Sequence, residues 1–592
     1  MKKIFLIFLT WNLTMAQNNV SIEYILNMAK PENHIFEVEM KVSGFSKSEK
    51  YFDFQLPVWR TGRYWIFDFA SGIISFEAND FKNEKINWEK ISKSTWRVKT
   101  NNSKSISVKY KVYANEFSSR TRGLNEEHAF IDGTSVFMFI EKFRTNILSL
   151  KVNPVKDWHV TTGLAESSKN IFVADSYDIL ADTPLEIGNQ IDLNFLVENI
   201  PHTIMIFGEN KIPHDTLISD FTKIILQQKN FWGFYPYKKY IFMIHSTPSG
   251  GGGTEHLNST IMGVRPKDLS TIEEYRQKFL GLVVHEFFHT WNVKYLRPKG
   301  ITPYNFMSEN YVKELWISEG STSYYDELLL ARIGLKTGEN LLKDFAMRVQ
   351  SDRSRPGNLV QPVSESSFDA WVKFWRNTPQ SYNFESDYYD KGANVSFCLD
   401  IELRNLSNNK ISLDELFREM AKNFPYGSNG FTNSDFQKTA EKLVKSDLTD
   451  FFNNYVFGTS PLPWEKYLNF LGLELIKTDS VQKPIIDIFV NETSDKTIVT
   501  NISKNSPFYN SGLDIGDEII SINENRINKN FISATSKLIF NEKVNIIFAR
   551  VDKIKTVTIL LNKNKEPNYI IKKIQNPTTV QKNMFKNWIG EL

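Results

Sequence analysis

Cysteine is nearly absent: the 592 residues contain one, Cys398. A lone thiol excludes any disulfide within the chain and any cysteine cage for zinc or an iron–sulfur cluster. No excess of charge exists either, since 71 basic and 68 acidic residues leave a formal charge of +3. That balance offers no electrostatic footprint for nucleic acid. Beyond the first residues no uninterrupted apolar run reaches the length needed to span a bilayer. No internal repeat of fixed period occurs. Histidine is sparse, and all nine lie at or before His289.

What is present is ample material for folding. Hydrophobic residues make up 41% and charged residues 23%, the balance of a globular chain. At ~150 residues per domain the length suggests three to four domains. Lys2 and Lys3 precede an apolar run from Ile4 to Leu9, and Thr14-Met15-Ala16 offers small residues at the positions a signal peptidase reads. Residues 1–16 are therefore read as a secretory signal peptide cut after Ala16, with an exported, periplasmic or secreted, mature protein.

From 17 to 197 the pattern is that of strands. Ile106, Val108, Tyr110 and Val112 alternate with polar residues, and similar runs occur at 34–42, 96–99 and 191–197. An all-β, sandwich-like domain is expected. From 198 to 463 the apolar period becomes helical. Thr271 with Glu274 and Ser270 with Glu273 are candidate capping boxes opening a helix through Trp291, and a second helix is expected over 311–333. After Pro461-Leu462-Pro463, residues 464–565 return to strands. Residues 566–592, rich in lysine and asparagine, are expected to form a loose polar tail.

The sharpest chemical signal is His285-Glu286-Phe287-Phe288-His289. Two histidines four apart project from one helix face and can bind one zinc ion, with Glu286 placed to reach a water on the metal. The apolar flanks Val283, Val284, Phe287 and Phe288 bury that helix, and buried histidines and glutamate without partners would cost several kcal/mol. A catalytic zinc needs a third protein ligand, and with no histidine downstream a ligand from that part of the chain must be a carboxylate. Glu319 lies in the apolar setting of Leu315, Trp316, Tyr324 and Tyr325; spacing alone leaves Glu309 and Glu314 open.

Two segments make the resemblance specific: His285–Lys294, read His-Glu-Phe-Phe-His-Thr-Trp-Asn-Val-Lys, and Leu315–Tyr325, which contains Trp316-Ile317-Ser318-Glu319-Gly320. Together they resemble the glycyl-aminopeptidase family of zinc metallopeptidases. Leu56-Pro57-Val58-Trp59 with Gly62-Arg63-Tyr64 resembles that family's N-terminal signature, Thr61 standing where proline is usual. The resemblance implies a multidomain α+β chain. It would carry an N-terminal β domain, a mainly helical thermolysin-like catalytic domain and a C-terminal PDZ domain. It also implies one zinc ion held by His285, His289 and Glu319, and Glu286 as general base.

Gly252-Gly253-Thr254-Glu255-His256 resembles the family's exopeptidase motif, which makes Glu255 the anchor for a free α-amino group, with Gly252 and Gly253 at the substrate. Tyr389-Asp390-Lys391-Gly392 resembles the motif whose tyrosine donates to the oxyanion, with Tyr388 as fallback. Groups orienting the histidines stay open, Asn292 being one candidate. Ser506-Pro507, Ser511-Gly512-Leu513 and Gly516-Asp517-Glu518 read as PDZ, a module that takes peptide C-termini or extended strands by strand addition. A carboxylate-binding loop would lie near Phe470–Leu473, and a purely structural, self-docking module is equally consistent with the sequence. The expected function is removal of small N-terminal residues from peptides. A zinc endopeptidase of the same fold and an inactive peptide-binding protein are the alternatives.

Overall fold

A computed structural model describes residues 20–117, 120–478, 483–565 and 567–590; the expected signal peptide, residues 1–16, lies outside the described residues. The described chain divides into two compact units. The first takes residues up to Val58 and Phe67–Asn189; the second takes Trp59–Ile66 and everything from Gln190.

The first unit is built on strands. Its main sheet has seven, ordered Ala165–Ser168, Ile171–Ala174, Leu148–Asn153, Ser21–Asn27, Ile35–Ser43, Ser105–Tyr113 and Ile73–Asp80. All neighbours are antiparallel except the pair Ser21–Asn27 and Leu148–Asn153. Along Ser105–Tyr113 the side chains Ile106, Val108, Tyr110 and Val112 are buried and their neighbours are not, the alternation a half-covered sheet demands. Smaller sheets of three and four strands complete this unit.

The second unit begins with a five-stranded sheet, ordered Ile191–Val197, Ile200–Gly208, Tyr240–Ser246, Ser259–Val264 and Gly253–Glu255. The strand Ile191–Val197, expected in the N-terminal domain, belongs here. Glu198 and Asn199, at φ of 48° and 66°, make a two-residue hairpin that pairs it in full register with Ile200–Gly208. Every residue of Tyr240–Ser246 is buried, as befits an interior strand with parallel neighbours on both sides. The edge strand Gly253–Glu255 pairs antiparallel with Ser259–Val264 and sets Glu255 at the sheet margin.

Helices follow, with three departures from the expected pattern. Thr271 does cap a helix, accepting from the Glu274 amide at 3.1 Å, but that helix ends at Lys278 and a second, Leu280–Phe288, carries the histidine motif. The segment expected as one helix over 311–333 is a π-helical turn, Trp316–Ser321, running into Thr322–Arg332. An unexpected 19-residue helix, His214–Trp232, lies between the first strands.

The PDZ-like part has its own core of Val499, Phe508, Leu513, Ile519, Val544, Ile546 and Phe548. Beyond it the chain is not a loose tail. Tyr569–Lys573 pairs antiparallel with Leu473–Lys477, and Thr579–Ile589 is a helix capped by a reciprocal Thr578–Gln581 box. Met584 and Trp588, one turn apart, are both buried, which is why a segment so polar in composition still docks.

Candidate metal centre and active site

The motif helix Leu280–Phe288 buries Val283, Val284, Phe287 and Phe288, leaving the edge that bears His285, Glu286 and His289 to the site. Glu319 reaches this edge from the π-helical turn. The wider turn brings the backbone at Gly320 against Gly392: a Cβ on Gly320 would stand 2.5 Å from the Gly392 Cα. Only glycine on both sides permits that approach.

The Glu319 Oε2 atom lies 3.1 Å from Nε2 of His289 and 3.6 Å from Nε2 of His285. Ligand bonds of about 2.0–2.1 Å arranged as a tetrahedron put donor atoms about 3.3 Å apart, and the two distances bracket that value. Two imidazole nitrogens and one carboxylate oxygen are the donor set of a catalytic zinc site, so the residues fit the ion. The competing acids do not converge here. Glu314 accepts from the amides of Lys313 and Asn433 at 2.9 and 3.0 Å, and Glu309 is exposed.

The electrostatics are those of a site built around a cation. Burial opposes charge on His285, but Asp326 and Glu319 outweigh it and push the ring up to about 10. Burial would raise Glu319, yet the His289 and His285 rings hold it down at about 2. Burial raises the Glu286 carboxyl, with the histidines pulling the other way. That carboxyl lies across the edge strand at Gly253, where a Cβ would stand 2.4 Å from Glu286 Cδ.

Each histidine is oriented from its far side. Nδ1 of His289 lies 2.9 Å from the Asn292 carbonyl oxygen. The Asn292 amide donates in turn to the Ile317 and Ser318 carbonyls and to the Thr322 hydroxyl, tying the second histidine to the turn that bears Glu319. Nδ1 of His285 lies 3.5 Å from Oδ2 of Asp326, which the sequence reading missed. Asp326 stands seven residues after Glu319, two turns along the same helical course, and that spacing was the available signal.

Tyr389 caps the site from the start of the helix Asp390–Leu406. Its ring lies 6.2 Å from that of His285 with planes 20° apart, and its backbone amide donates to Asp387. Burial, then Glu319, raises its hydroxyl well above the usual tyrosine value, so it remains a proton donor. The Tyr388 hydroxyl is engaged by the Trp375 indole at 3.1 Å. Glu255 stands beside Gly62 and 3.9 Å from the Lys294 ammonium, and Gly252 takes φ 68° at the entry to the edge strand. Tyr64, quoted in the sequence only as part of a signature, is buried within the field of Glu319 and Glu255.

Residues 23–189 match the Peptidase M61 N-terminal domain, residues 278–395 match M61 glycyl aminopeptidase, and residues 470–561 match a PDZ domain. No curated protein matches the sequence. Among solved structures, an aminopeptidase N family protein from Idiomarina loihiensis is 26% identical over 96% of this chain and 100% of that one, with a TM-score of 0.89. An M1 zinc metallopeptidase from Deinococcus radiodurans is 12% identical over 76% of this chain and 96% of that one, at 0.46. Yeast LTA4 hydrolase in complex with bestatin is 13% identical over 75% of this chain and 68% of that one, at 0.45. The resemblance read from the motifs stands, and so does the expected multidomain α+β fold.

Proposed function

Because this chain is a peptidase with an M61 glycyl aminopeptidase domain, we propose that it is an exported zinc aminopeptidase. Its substrates would be peptides with a free N-terminus and a small first residue such as glycine or alanine. One zinc ion would be held by His285, His289 and Glu319. The observation that carries the reading is the approach of both Nε2 atoms to the same Glu319 oxygen, at 3.6 and 3.1 Å.

Bound zinc supplies a Lewis acid for the scissile carbonyl and makes water a better nucleophile. Glu286, its carboxyl raised by burial, takes the proton of the attacking water and passes it to the departing amine. Tyr389 donates its hydroxyl where negative charge develops on the carbonyl oxygen. Glu255 pairs with the substrate ammonium at the sheet edge and sets how far a chain can enter. Gly252 and Gly253 leave room there for the substrate backbone. Export rests on the charged, apolar leader of residues 1–16. The PDZ part supports a role in holding an extended strand or chain end.

Metal analysis paired with kinetics tests this. One zinc per chain is expected, and Glu286→Gln should retain it while losing peptide turnover by about 10²–10⁴-fold. Unchanged turnover in Glu286→Gln overturns the mechanism. Equal turnover of an aminoacyl substrate and its N-acetylated form makes the enzyme an endopeptidase instead.

A further inference from the structure

Lys294 is fully buried, at 0% exposure, five residues after the second histidine. A buried lysine is rare and costly unless a partner compensates it. Its Nζ donates to the Thr61 hydroxyl at 3.1 Å and stands 3.9 Å from Oε1 of Glu255, with the Tyr304 ring 5.8 Å away. The backbone that delivers it is unusual. Val293 has φ of 149°, a region that β-branched residues almost never enter, and the Lys294 amide donates to the His289 carbonyl at 3.0 Å. Such strain persists only where the surroundings over-determine it, and it gathers at functional sites.

Both oxygens of Glu255 also abut Gly62, at φ of 79°, where a Cβ would stand 3.0 Å from Oε1 and nearer still, 2.5 Å, to Oε2. The carboxylate therefore sits with Oε1 toward a buried cation and both oxygens beside the one residue type that leaves them space. A glutamate has three rotatable bonds, and an anchor for an ammonium group works only if its oxygen is held at a fixed place. From this geometry we infer that Lys294, seated on Thr61, is a positioning residue: it holds one oxygen of Glu255 and leaves the other for the substrate's α-ammonium group. The inference rests on the reading of Glu255 as the amine anchor. It adds that selectivity for a free N-terminus is set by a lysine and a threonine 233 residues apart in sequence.

The test uses the full-length, zinc-loaded enzyme with a glycyl or alanyl amide reporter and its N-acetylated form. Lys294→Met should raise KM for the free-amine reporter by about tenfold or more, with kcat little changed, as expected when a binding group is misplaced. The slow turnover of the N-acetylated form and the zinc content should not move, so the preference for a free amine falls by the same factor. Lys294→Arg should recover part of it, and Thr61→Val, which deletes only the hydroxyl, should shift KM in the same direction by less. Glu255→Ala separates the two readings. If it leaves the free-to-acetylated ratio intact, Glu255 is not the anchor. If it collapses the ratio while Lys294→Met, folded and zinc-loaded, keeps the parent KM, the positioning role is overturned. Should Lys294→Met fail to fold, an unchanged KM in Thr61→Val overturns it equally.

Discussion

The Asp326 carboxylate stands 3.5 Å from Nδ1 of His285, on the side of the ring opposite the nitrogen that faces Glu319. It is itself held, one oxygen accepting from the Glu327 amide at 2.7 Å with Arg348 3.9 Å away. A carboxylate in that place fixes ring orientation and makes the ligating nitrogen more basic. Asp326→Ala is expected to weaken zinc binding by about 10–100-fold, read by competition with a chelator. Arg348→Met, acting one step further out, should weaken it less.

Tyr389→Phe removes a hydroxyl and keeps the ring, whose contacts with His285 and Phe374 do not need the oxygen. A loss of about 10²–10³ in kcat is expected, the scale of deleting one oxyanion donor. KM and zinc content should hold. Tyr388→Phe should cost far less kcat, because it is the Tyr389 ring that lies against His285.

Asp387 precedes both tyrosines, and burial, then the neighbouring Asp390, pushes its carboxyl up to about 6. The folded chain thus holds this proton more tightly than the unfolded chain. Its contribution to stability falls as pH rises from about 4 to about 6 and stays low above that, by on the order of 3 kcal/mol. Asp387→Asn keeps an acceptor for the Tyr389 and Asp390 amides but cannot ionise. Its Tm should exceed the parent's at pH 7 and approach it near pH 4, in thermal melts across that range.

Trp588, fully buried, donates its indole N–H to the Tyr324 hydroxyl at 2.7 Å, and that hydroxyl donates to Asp400 at 2.6 Å. Arg332 donates to the Trp588 carbonyl at 3.0 Å. Trp588→Ala should destabilise the enzyme by about 3–5 kcal/mol, read by denaturant unfolding. Because Tyr324 and Arg332 sit on the helix that follows Glu319, zinc retention should fall as well.

Local spacing was the most readable part of this chain. The two histidines and Glu286 lie within one turn and a half of helix, so their common face follows from the period alone. Glu319 needed its apolar surroundings as well, since spacing alone does not reject Glu309 or Glu314, and only the fold shows the Glu314 carboxylate spent on two backbone amides. The pairing of Thr61 with Lys294 spans 233 residues and leaves no trace in either neighbourhood. Boundaries failed where local chemistry was atypical. Glu198 seldom takes a left-handed φ, so the hairpin that moves Ile191–Val197 into the second unit was unreadable. The helix around Trp588 hid because three buried residues among many lysines and asparagines barely alter composition.

The pairing of Leu473–Lys477 with Tyr569–Lys573 makes the PDZ-like part a closed bracelet rather than a bead on a string. The clasp itself is a strand edge next to the Gly472 turn, where the Ile574 amide also donates to the Gly472 carbonyl. This two-stranded clasp is separate from the module's own sheet, so it ties the two ends of the module together while the Ile488–Glu492 strand stays at the margin of that sheet among the described residues.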